Sequence, residues 1–61
     1  MLKEYSKVKT LVQKENYPIG SIGVIVSLYS TGPACEVEIW DENGYPADVV
    51  TYLLSELEPA L

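Results

Sequence analysis

Two strand-like runs around a short break limit what this chain can become. Ser21 to Tyr29 reads Ser-Ile-Gly-Val-Ile-Val-Ser-Leu-Tyr. Ser30 to Ala34 carries Gly32-Pro33, and Cys35 to Trp40 reads Cys-Glu-Val-Glu-Ile-Trp. The first run is rich in β-branched residues, which are stiff at χ1 and pack well on a pleated surface. The second has the clearest period of two in the chain, with Cys35, Val37 and Ile39 on one face and Glu36, Glu38 and Trp40 on the other. The stretch reads as the central hairpin of an all-β fold. Gly23 interrupts the first run, and alternation is lost across Ile22 to Val26. A glycine inside a strand marks a bulge, a sharp bend or the close approach of another backbone, and the lost alternation fits a bulge or burial on both faces, which leaves the in/out register of this strand open. Ile22, Ile25 and Leu28 are the expected core positions.

The rest of the chain supplies strands on either side. Tyr5 to Val12 reads as a first strand, with Val8 inward and Lys7 and Lys9 on the solvent side. Helical spacing of Leu2, Tyr5 and Val8 competes with this, but Ser6 and Thr10 dilute the helix formers. Gln13 to Gly20 is a loop in which Asn16 and Gly20 suit turns and Pro18 biases Tyr17 to an extended conformation. Ile19 is expected to fold back onto the core. Asp41-Glu42-Asn43-Gly44 is the next turn, with Asn-Gly a strong hairpin signal. Tyr45-Pro46 leads into a fourth strand over Ala47 to Leu54. Ser55 to Pro59 fits a single 3₁₀ turn with Leu57 tucked inward, and the last residues to Leu61 form a short fifth strand. The expectation is one domain, residues 1–61: a single small barrel of about five antiparallel strands.

Size and composition narrow the function classes. A chain of 61 residues buries only about 60% of its unfolded surface, so oligomerisation is a live option. No apolar run approaches the ~18 residues that a spanning helix needs. Met-Leu-Lys-Glu-Tyr lacks the layout of a signal peptide, so the sequence is expected to be complete and cytoplasmic. Cys35 is the single cysteine and there is no histidine. No internal disulfide can form, no metal site is expected, and a cysteine nucleophile would lack its usual base. Cys35 reads as a small buried hydrophobe. No cofactor and no enzymatic activity are expected.

The net charge is −5, and all four basic residues, Lys3, Lys7, Lys9 and Lys14, precede Glu15. Solubility alone accounts for such a balance, and an acidic surface also steers toward a basic protein partner. Nucleic acid and anionic membrane are disfavoured, because both demand clustered Lys or Arg.

The order of signals resembles a family of small bacterial proteins of unknown function with an SH3-like barrel. Gly20, Ile22, Gly23, Ile25, Val26 and Tyr29 carry the likeness, with Glu36, Val37, Glu38, Asp41, Gly44, Thr51 and Leu57. It covers Tyr5 through Leu57. More distantly the chain is similar to SH3-like subunits that dock onto photosynthetic electron-transfer complexes, which share the Gly-x-Val hairpin and the closing Glu-Leu turn. The resemblance implies an SH3-like barrel and carries no activity. Members are similar in size and acidity to antitoxin and immunity proteins, which implies a binding role.

The expected partner-binding residues are Glu36, Glu38, Trp40, Asp41, Glu42 and Tyr45. The carboxylates form the densest acidic cluster, either a solvated face or a contact for a basic protein. Trp40 is either a hot spot on that face or a cover for the end of the barrel. Tyr17, Tyr29, Tyr45 and Tyr52 could line a peptide groove, but the motif that accompanies one is missing. They are expected to cap the barrel ends with their hydroxyls in water. The sequence thus points to a non-catalytic protein-binding module. The alternative is a self-associating protein that pairs through an edge strand.

Overall fold

A computed structural model describes residues 2–30 and 32–60. Met1, Thr31 of the expected hairpin turn and Leu61 of the expected last strand lie outside the described residues. The strands are β1 (Lys7–Thr10), β2 (Ile22–Leu28), β3 (Ala34–Trp40), β4 (Pro46–Leu53) and β5 (Leu57–Pro59). A 3₁₀ turn over Leu54–Glu56 joins the last two. All five form one antiparallel sheet in the order β4-β3-β2-β1-β5.

That order has a geometric consequence. Strands β4 and β5 are consecutive in the chain but lie at opposite edges of the sheet. Laid flat, five strands would hold those edges at least about 19 Å apart. Three residues of 3₁₀ turn advance only about 6 Å. The sheet therefore has to curl until its edges approach. Among the described residues it stays open, with β4 paired to β3 and β5 to β1 at its two edges. The turn is anchored on both sides: Leu54 N–H donates to Pro33 O at 2.6 Å, and Leu11 N–H donates to Glu56 O at 2.7 Å.

Strand β2 makes the curl possible. Its first half pairs with β1, and Gly23 to Leu28, apart from Val26, pair with β3. Gly23 lies between Val8 and Ile39, and a Cβ there would sit 2.9 Å from Val37 Cγ1 and closer still to the Glu38 carbonyl oxygen. Only a residue without a side chain lets β3 come this near. The ladder with β3 slips between Ile25 and Ser27, so Val26 is the extra residue of a bulge. The bulge thus falls after Gly23, and the glycine serves a close approach instead.

The inner face holds Val8, Ile25, Cys35, Val37, Ile39, Val50, Tyr52 and Leu57, with Leu2, Val12, Tyr17 and Leu54 packed against them. The inward set of β3 and the burial of Val8 and Cys35 match the period-two reading, and Leu57 is buried as expected, though as the first residue of β5 rather than within the 3₁₀ turn, which ends at Glu56. Three expectations fail. Ile22 is only half-buried, because it is one residue from Gly23 and the pleat turns it to the outer face. Leu28 lies past the bulge at the end of its strand and is exposed. Ile19 is 67% exposed and does not fold back; Tyr17 takes that place against the core. Burial raises the Cys35 thiol pKa.

Tyr52 also departs from expectation. It follows Val50 on the inner face and is 0% exposed, and its hydroxyl has no hydrogen-bond partner among the described residues. Thr10 shows the opposite case. Its Oγ1 donates to Pro18 O and accepts from Ser21 N–H, which ties off the base of the β1–β2 loop.

Within that loop Lys14 and Tyr17 exchange backbone hydrogen bonds around a tight turn, where Glu15 rather than Asn16 takes a positive φ, 51°. Lys14 Nζ then reaches β4, donating to Thr51 O at 3.0 Å, pairing with Glu56 Oε1 at 3.0 Å and sitting 5.1 Å above the Tyr52 ring. Glu56 Oε1 accepts the Leu53 N–H at 2.8 Å. That backbone hydrogen bond first, and Lys14 second, hold the Glu56 carboxyl below its ordinary value of 4.5.

Two outcomes are expected. Gly23→Ala forces β2 from β3 and lowers the unfolding free energy by about 1–3 kcal/mol in urea titration, whereas Gly32→Ala, with open space around it, leaves it unchanged. Glu56 has a depressed folded pKa, so its contribution is present above 4.5 and lost as pH falls through the folded value. The stability difference between wild type and Glu56→Gln, measured by urea unfolding, is therefore largest near neutrality and shrinks on acidification.

Candidate functional site

Strand β3 places its polar side chains by default. Cys35, Val37 and Ile39 take the core, so Glu36, Glu38 and Trp40 emerge on the outer face, all half-buried. Pairing sets their neighbours. Glu38 lies between Val24 of β2 and Val49 of β4, Glu36 between Ser27 and Thr51, and Trp40 opposite Pro46.

The side chains on this face are largely engaged with one another. The Glu36 carboxylate accepts the Tyr29 hydroxyl and, at 2.9 Å, the Thr51 hydroxyl, so one acid ties β3 to β4 and to the residue that follows β2. Tyr29 ionises above its ordinary 10.0, first because its hydroxyl donates to Glu36 and then because of desolvation. Trp40 Nε1 donates to Glu38 Oε1 at 3.4 Å, and Lys7 Nζ lies 5.9 Å from the Trp40 ring centre. Trp40 is thus neither free in solvent nor a core cover. It is braced between an acid on its own strand and a lysine from β1.

The turn after β3 has a different division of labour. Asp41 Oδ1 accepts the N–H groups of Asn43 (2.9 Å) and Tyr45 (3.0 Å). Asp41 N–H donates to Tyr45 O, and Gly44, at a φ of +83°, donates to Asp41 O. Asp41 is the brace of its own turn. The same turn lifts Glu42 and Tyr45 into solvent, the latter 68% exposed. Of the six expected residues, Glu36, Glu38, Trp40 and Asp41 take part in hydrogen bonds within the chain, while Glu42 and Tyr45 stand in solvent.

Several members of this face were not among the six expected residues. Val49 (53% exposed), Thr51 and Leu53 of β4 and Tyr29 after β2 all border the carboxylate row. The stretch Val49 to Leu53 is nearly all apolar or β-branched, so its in/out alternation carries no contrast to read. Acceptor oxygens set in apolar surface suit recognition by contact. Among the described residues no group of three or more His, Cys, Asp or Glu is placed to hold a metal ion.

No protein-family model, no curated protein and no solved structure matches this chain. The Tyr29–Glu36 contact gives a direct check. In Glu36→Gln the negative acceptor is gone, and the Tyr29 ring titrates nearer its ordinary 10.0 when followed by NMR. An unmoved midpoint contradicts the contact.

Proposed function

We propose that this chain is a non-catalytic protein-binding module of the antitoxin, immunity or accessory-subunit kind. It meets a basic partner in the cytoplasm through the outer face of β2, β3 and β4 and the turn that follows β3. The curled sheet is then an SH3-like barrel like those of the small bacterial family the sequence resembles. The strand order and the 3₁₀ turn between β4 and β5 support that fold reading.

The observation that carries the function is the row Val24, Glu38, Val49, in register across three strands. A carboxylate flanked by apolar side chains offers both charge complementarity and desolvated contact area. Trp40, braced beside Glu38, adds an ordered aromatic of the type enriched among binding hot spots. Tyr45 and Glu42 extend the surface at the turn.

The test is to capture the partner from the native cell with the wild-type chain, identify it by mass spectrometry, and titrate the purified pair by calorimetry. Trp40→Ala and Glu38→Lys each weaken binding by about tenfold or more, while Lys3→Glu leaves it unchanged. Added salt weakens the wild-type complex. Full affinity in both face variants would sink this assignment.

A further inference from the structure

Among the described residues, strand β4 has a neighbour on one side and a free edge on the other. An edge strand presents every second residue's N–H and C=O to solvent. The Leu54 N–H to Pro33 O bond sets the phase, so the even positions of β4 face β3 and Val49, Thr51 and Leu53 face outward. Their sequence context, Val-Val-Thr-Tyr-Leu, has no charge and no proline. Such a segment has the composition that pairs most readily with another strand.

The edge is not bare. Val49 N–H donates to Asp48 Oδ1 at 2.8 Å, Thr51 O accepts from Lys14 Nζ, and Leu53 N–H donates to Glu56 Oε1. Three of the six outward groups thus have side-chain partners, from three different places in the chain. Lys14 and Glu56 are joined to each other at 3.0 Å. Lys14 is delivered by the turn in which Glu15 holds a positive φ, a conformation that β-carbon-bearing residues avoid and that marks a segment held under strain. Thr51 N–H has no partner among the described residues.

We propose that the β4 edge is a pairing surface for a second copy of this chain, held shut by the Lys14–Glu56 clasp. A second copy fits because the edge is self-complementary. Antiparallel pairing about a two-fold axis at Thr51 sets Thr51 against its own copy, so each N–H meets the other's C=O. Val49 then lies opposite Leu53 of the partner subunit, and no like charges are opposed. The strand cannot enter while Lys14 occupies Thr51 O. The self-association open at the level of sequence is thereby confined to one edge and one release step. It shares Val49 with the Glu38 row but pairs through the backbone edge of β4 rather than the outer face, and it is read from Lys14 and Glu56 variants while the partner surface is read from Trp40 and Glu38 variants, so either reading can fail without the other.

Analytical ultracentrifugation over about a hundredfold range of concentration tests this, with strand content checked by circular dichroism. The wild type and Lys14→Arg stay monomeric. Lys14→Ala dimerises as concentration rises, and exchange of its Thr51 amide slows by about tenfold or more in the dimer. Glu56→Ala opens the same clasp from the other side and dimerises too. Folded variants that remain monomeric, or a dimer in which Thr51 exchanges as before, overturn the proposal. A further reading needs no variant. In the wild-type monomer the Leu53 amide, held by Glu56, exchanges more slowly than that of Thr51, and equal rates overturn the clasp.

Discussion

Everything in this fold depends on a short tether between opposite edges. Three residues join β4 to β5, and the sheet places those strands at its two extremes. Neither a flat sheet nor an evenly twisted one can meet that constraint. The chain meets it with a bulge at Val26 and with a glycine at position 23, which lets β3 approach β2 more closely than any side chain would permit. Once the sheet is curled, one face is sealed and the other turns outward, and the character of each residue's surroundings follows from that.

The curl also explains how the polar side chains are used. In a domain this small, loops and strand ends lie close together, and backbone groups outside the ladder need partners. Thr10 ties the base of the β1–β2 loop, Asp41 builds its own turn, Glu36 joins β4 and the end of the β2 segment, and Glu56 takes an edge N–H. Much of what looks in the sequence like an acidic binding face is therefore also internal scaffolding. The one exception to this thrift is the Tyr52 hydroxyl, which is buried with no partner among the described residues. Leaving such a group unsatisfied costs about 1–3 kcal/mol, set against the large apolar area that a buried tyrosine ring removes from water.

What could be read from the sequence depended on contrast. In β3 acidic and apolar residues alternate, so inward and outward positions were both legible, and with them Glu36, Glu38 and Trp40. The Asn43-Gly44 turn and the inward Leu57 were legible for similar local reasons. In β2 and β4 nearly every residue is apolar or β-branched, and the period-two signal disappears. Hence Ile22 and Leu28 were misplaced, Tyr52 was taken for a surface residue, and Val49 was not seen as a neighbour of Glu38.

Alternation and turn chemistry act over a few residues, and they suffice to make this an all-β chain, to place most of its strands and to turn one face of β3 inward. Which edge β5 joins, where the bulge falls and what guards β4 are settled in the packed sheet. Those outcomes rest on contacts between residues far apart in the chain, Lys14 with Thr51 above all. No local pattern encodes the meeting of two such distant groups; it follows from how the whole sheet curls.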